Sequence, residues 1–164
     1  PRQRHGDPHG SSAAEERATR CLSHAPTHGS IAPHGKEVFM SPHLAADLAL
    51  TLADDRPGML AKAIGCISAA GINIDGYTEM SGVVHVLTTS LGEARQCLTN
   101  AGFREVQEQD VVVVPVSDAP GSAAKVFQRI AEAHINIRYS YLATGNRLVI
   151  ASTDPRAVLA AVAQ

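Results

Sequence analysis

Two short motifs in this chain carry groups able to read a small charged molecule, and both occur twice. Asp55-Arg56-Pro57-Gly58 is followed by Ile72-Asn73-Ile74. Asp118-Ala119-Pro120-Gly121 is followed at the same spacing by Ile135-Asn136-Ile137. The Asp55 carboxylate can pair with an ammonium and the Arg56 guanidinium with a carboxylate. Asn73 offers donors and an acceptor, so it can meet an α-amino or an α-carboxylate group. Gly58 and Gly121 lack a Cβ, which lets a ligand come close to the backbone. Each motif runs into a helical pattern, whose first turn presents unpaired N–H groups and a partial positive charge. A carboxylate placed there is stabilised. The same residues also fit a plainer reading, in which D-x-P-G is turn and capping chemistry and Asn73 bonds neighbouring backbone.

Other reactive side chains suggest no catalytic set. His85 and His134 have no carboxylate or nucleophile at a catalytic spacing. Tyr77, Tyr139 and Tyr141 read as half-buried sheet residues. Lys62 and Lys125 lie beside apolar stripes, as solvated stems do. Cys66 and Cys97 fall in helical patterns as small buried thiols. Three cysteines without a CxxC spacing support neither a disulfide framework nor a zinc ribbon, and a reducing cytoplasm fits them best. There is no phosphate loop of the GxxxxGK type.

The elements that must position the motifs come from a repeat. Residues 55–90 align without a gap on residues 118–153, at an offset of 63, with twelve of 36 positions identical. Chance would give roughly two or three. In the first copy Leu48–Leu52 alternates as a strand, and Leu60, Ile64 and Ile67 share a helical face. Gly71 caps that helix. Ile72–Met80 and Val83–Ser90 form a hairpin around Ser81-Gly82. Ser90-Leu91-Gly92-Glu93 reads as a capping box. A second helix follows, and then a short strand at Phe103–Gln107. The second copy repeats this with a strand at Val111–Val116 and a helical stripe of Ala123, Phe127 and Ile130. Ile135–Ala143 and Arg147–Ser152 make its hairpin, and Asp154-Pro155 starts its last helix. The expected fold is α+β, two tandem ferredoxin-like βαββαβ units. The second is expected to lack its final strand, leaving an edge for another segment or subunit to pair with.

The bulk numbers agree with a globular protein. A net charge of −2 and 4% aromatic residues argue against nucleic-acid binding. No apolar run reaches membrane-spanning length, and residues 1–43 hold no apolar h-region, so a secretory signal is not expected. Residues 1–43 differ, holding six of the eight histidines and much Gly, Pro and Ser. They read as a disordered segment, with residues 1–39 as a non-native extension ahead of Met40. The histidine spacings match no compact ligand set, so no metal site is expected.

The paired D-x-P-G and I-N-I motifs resemble those of the ACT domain, over about residues 46–164. ACT domains are small ferredoxin-like modules that sense amino acids in metabolic enzymes and regulators. The chain is similar to free-standing two-copy ACT proteins. The resemblance implies ACT-like domains at 44–109 and 110–164, and a ligand held where two modules meet. By that resemblance the binding residues are Asp55, Arg56, Pro57, Gly58, Met59, Leu60, Asn73 and Ile74, with Asp118, Gly121, Ser122, Ala123, Asn136 and Ile137 in the second copy. Asp55 and Asp118 depart from the Asn common in amino-acid-binding members. The second copy has Ala119 in place of Arg56, so the first is the expected binder. The function expected is a non-catalytic regulatory protein without a cofactor, probing an amino acid and forming a homodimer. An adaptor docking on a metabolic enzyme or transcription regulator, without a ligand of its own, is the alternative.

Overall fold

Apolar side chains alternate along each long strand, and the alternation decides which face each strand buries. The computed structural model describes residues 41–52 and 56–163. In chain order the elements are β1 (His43–Thr51), α1 (Met59–Ala69), β2 (Gly76–Met80), β3 (Val83–Leu87), α2 (Leu91–Asn100), β4 (Gln107–Pro115), α3 (Ser122–Glu132), β5 (Ile137–Ala143), β6 (Arg147–Ser152) and α4 (Pro155–Val162). The expectations for residues 1–40 lie outside the described residues. The strands form one antiparallel sheet in the order β2-β3-β1-β4-β6-β5.

One face of the sheet is covered by helices. Leu48, Leu50, Val84 and Val86 meet Ala63 and Ile67 of α1 and Ala94 and Leu98 of α2. Val112, Val114, Leu148 and Ile150 meet Val126 and Ile130 of α3 and Val158 and Val162 of α4. Each fully buried Leu or Ile here contributes roughly 1.5–3 kcal/mol. The opposite face carries a third cluster, with Leu87, Val111, Val113, Tyr139, Tyr141, Val149 and Ala151.

The central strands are shared differently from the sequence expectation. Phe103–Gln107 is not a strand. Gly102 and Glu105 both adopt positive φ, which breaks the extended backbone, and Phe103 is instead a core residue. The strand starts at Gln107 and runs unbroken to Pro115, through the expected domain boundary at residues 109 and 110. Its first part pairs with β1 and its last part with β6. The edge left for another segment to pair with is taken by β1, whose Ala45, Leu44 and His43 face Val111, Val112 and Val113.

The repeat is also not gapless in space. Gly58 and Gly121 open equivalent helices, and Ile67 and Ile130 are equivalent core positions, at the offset of 63. Between β1 and β4, and between β3 and β6, the offset is 64. Leu48 faces Val86 across the ladder as Val112 faces Ile150. The second hairpin turn is one residue longer, joining Ala143 to Arg147 where the first joins Met80 to Val83. The loop before the first helix is longer by one residue in the first copy.

The sheet curls until its outermost strands touch. The Thr144 N–H donates to the carbonyl of Asp75 at 2.7 Å, and Arg147 Nη2 lies 3.6 Å from Asp75 Oδ1. Gly76 is required at this junction, because a Cβ there would lie 2.7 Å from Ala143 Cβ. The curl encloses the face opposite the helices.

Candidate functional site

The second D-x-P-G motif forms a concave site. Its chain leaves β4 at Pro115, and the Val116 N–H donates to the Asn146 carbonyl at 2.8 Å, docking the loop on the β5–β6 turn. Gly121 then takes a left-handed conformation, φ 85°, as the N-cap of α3, and no side chain caps the first turn. The result is a cavity of about 280 Å³ whose wall includes Asp118, Gly121, Ser122, Ala123, Leu142 and Asn146. Ser117 Oγ and Ser122 Oγ share a hydrogen bond of 2.7 Å across the loop. Four of the residues singled out in the second copy are therefore brought together. Asn136 and Ile137 are not on that wall. Asn136 is exposed ahead of β5, and Ile137, the first residue of β5, packs on the α3–α4 core.

The first copy is arranged on the same plan. Asp55 lies outside the described residues. Arg56 and Pro57 are exposed, and Gly58 caps α1 at φ 95°, again without a side-chain cap. Met59 and Leu60 are half-buried and pack on the core beneath α1, as does Ile74. Asn73 precedes β2 rather than lying in it. Its side chain donates to Asp75 Oδ1 at 2.9 Å, and its carbonyl accepts the Thr88 hydroxyl at 2.8 Å. Asn73 is thus tied to the segment that carries the strand junction.

The enclosed face holds a polar cluster that the motifs did not point to. Asp47 is fully buried. Its carboxylate accepts the Tyr139 hydroxyl at 3.1 Å on both oxygens and the Tyr141 hydroxyl at 3.1 Å on Oδ2. His85, also buried, lies against the Tyr139 ring with centroids 3.9 Å apart. Its Nδ1 is 3.6 Å from Asp47 Oδ2, beyond hydrogen-bond range. Burial, and then the adjacent Asp47 charge and the hydrogen bond to it, push both phenols well above their ordinary range. No local signal marked the cluster, because Asp47 lies just ahead of the expected strand Leu48–Leu52 and on its polar phase.

Cys66 and Cys97 bring their sulfurs to 3.6 Å between α1 and α2. Burial, and the hydrogen bond to Cys66, push the Cys97 thiol up to about 11, so it stays protonated at neutral pH. Among the described residues no group of three or more His, Cys, Asp or Glu could hold a metal ion. No helix among them is long and apolar enough to cross a membrane.

No protein-family model and no curated protein matches the chain. Solved structures do. A protein from Bacteroides thetaiotaomicron superposes with a TM-score of 0.63 at 22% identity, over 73% of this chain and 87% of that one. The ligand-free regulatory subunit of aspartate kinase from Thermus thermophilus gives 0.53 at 23% identity, over 76% of this chain and 95% of that one. The aspartokinase III of E. coli in complex with aspartate and ADP gives 0.52 at 23%, over 76% of this chain and 32% of that one.

The chain has the ACT fold. Within the ACT fold the two D-x-P-G loops sit at equivalent helix entrances, at the ends of the two central strands. The polar cluster lies on the other face, between those same strands and β5.

Proposed function

We propose that the protein is a non-catalytic regulatory module that binds an α-amino acid at a helix entrance. Its two ACT units are read as ferredoxin-like βαββαβ folds that complete each other, β4 closing the first unit and β1 filling the fourth position of the second. The observation that carries the reading is the cavity bounded by Asp118, Gly121, Ser122 and Ala123. Its size is at the small end of ligand sites, which suits a molecule no larger than an amino acid. The uncapped first turn of α3 would receive the α-carboxylate and Asp118 the ammonium. The equivalent first-copy set is Asp55, Arg56, Pro57, Gly58, Met59, Leu60, Asn73 and Ile74, with Asn136 and Ile137 as the strand-side residues of the second. Relatives in fold include the regulatory subunit of an aspartate kinase, which supports the regulatory role.

Leu142, 66% exposed on the cavity wall, favours closure of the site by a second copy. The protein is accordingly read as a cytoplasmic homodimer, without metal or cofactor. Thermal shift against the twenty amino acids at millimolar concentration tests the reading. A ligand at a hundred times its Kd adds about 2.7 kcal/mol. For a chain of this size that raises Tm by roughly 5–10 °C. Asp118→Ala should abolish the rise. No response to any amino acid removes the sensing claim and leaves the adaptor reading.

A further inference from the structure

The enclosed face of the sheet carries a second cavity, of about 410 Å³, which shares no lining residue with the helix-entrance cavity at Asp118–Ala124. It opens where the outermost strands diverge. β2 and β5 meet at Asp75 and Thr144, whereas the cavity is lined by Met80 from the far end of β2 and Arg138 from the start of β5. The polar side chains on its wall bear on its purpose. His85 and Gln109 line it, and His85 Nδ1 and Gln109 Oε1 are both buried with no hydrogen-bond partner among the described residues. His85 as a whole is 5% exposed. Buried polar atoms are nearly always paired in native proteins. The Asp47 carboxylate lies 3.6 Å from His85 Nδ1, so Gln109 Oε1 is the atom that calls for a partner from the cavity.

The surrounding residues define that group's chemistry. Arg138 sits at the β-bulge between Ile137 and Tyr139, which takes it out of the regular ladder. Its guanidinium recognises a carboxylate. Gln109 Oε1 accepts only from an N–H or O–H. Glu105, on the same wall, holds a positive φ of 58°, a conformation that non-glycine residues seldom take outside constrained sites. Behind the wall, the Asp47 carboxylate accepts the two tyrosine hydroxyls and lies beside His85 Nδ1, so it fixes Tyr139 and leaves Gln109 and Arg138 for a ligand.

We propose that this cavity is a second small-molecule site, which takes a small carboxylic acid bearing an amino or hydroxyl donor. Arg138 holds its carboxylate, and Gln109 accepts its donor beside His85. The proposal does not depend on the helix-entrance site. NMR titration of the full ¹⁵N-labelled chain tests it, with L-serine, L-aspartate, L-lactate and L-malate at millimolar concentration as probes. At least one probe is expected to shift the amides of Gln107, Gln109 and Arg138. Arg138→Ala, at an exposed position of β5, should weaken that response about tenfold or more, the loss of one charge-assisted contact. Asp118→Ala should leave it intact. Shifts confined to Asp118–Ala124 overturn this proposal while supporting the helix-entrance reading. Shifts nowhere overturn both, and shifts at the cavity that Arg138→Ala leaves unchanged overturn the assigned role of the guanidinium and with it the proposal.

Discussion

Asp47 cannot be hydrated, so its charge must be met by the two phenols that donate to it. The arrangement has a pH signature. The folded state keeps Tyr139 and Tyr141 protonated well above the ordinary range, first through burial and then through Asp47. The unfolded chain releases the same protons near pH 10, since a free tyrosine titrates at about 10. Above that pH the unfolded state binds fewer protons than the folded one, so stability falls as pH rises, and it is fully present below. A tyrosinate absorbance titration should therefore find two of the chain's three tyrosines silent until the protein unfolds. Smooth ionisation of all three near pH 10 in folded protein would contradict the buried cluster. Nothing local in the sequence announces this. Asp47, Ala49 and Thr51 alternate with Leu48, Leu50 and Leu52, and a half-buried strand assigns the polar set to solvent. Only the distant contact between Asp75 and Thr144 turns that face inward.

At the scale of elements, helices and caps were legible because their determinants are a few residues apart. Ile67 and Ile130 are buried where the stripes put them, and Asp154 caps α4 by accepting from the Ala157 N–H at 3.0 Å, with Pro155 behind it. Ser90 is the exception. It occupies the N-cap of α2 without a side-chain capping bond, and its own N–H is instead held by Thr88 Oγ1 at 3.2 Å. Ser152 holds Asp154 in the same way. Hairpin length was not legible, because Gly82/Gly145 and Val86/Val149 match at 63 although the ladder pairs at 64. The cap after α1 and α3 offers a direct test. Gly71 takes φ 72° there, and His134 is forced to 56°. A left-handed residue with a Cβ costs about 1–2 kcal/mol, and glycine's extra unfolded entropy returns about 0.5–1. His134→Gly should therefore stabilise the protein by about 0.5–1 kcal/mol in urea unfolding. A neutral or destabilising result would mean that the exposed imidazole contributes something the cap geometry does not show.

At the largest scale, the sheet of the described residues is held in one piece by two devices, shared central strands and a junction between outermost strands. β4 serves both halves, so neither half has a complete sheet without the other. The D-x-P-G loops were found from sequence because each is contiguous. The pairing of β1 with β4 and the junction were not, because they join residues 58 to 70 positions apart. Gly76 is where the junction is most sensitive. Its structural counterpart is Tyr139, at the offset of 63, so the backbone position itself accepts a side chain. The neighbour forbids one, since an added Cβ would lie 2.7 Å from Ala143 Cβ and 3.0 Å from its Cα. Neither atom is the end of a flexible side chain, so the strands must separate. Overpacking of this kind costs about 1–3 kcal/mol. Gly76→Ala should lower Tm by roughly 2–10 °C for a chain of this length. Hydrogen exchange locates the damage. The Thr144 amide, bonded across the junction to Asp75, should exchange faster, while Val112 and Val149 in the centre of the sheet should change only with global stability. If Gly76→Ala leaves both Tm and Thr144 protection unchanged, β2 and β5 do not meet in solution, and the face bearing Asp47 and His85 is open rather than enclosed.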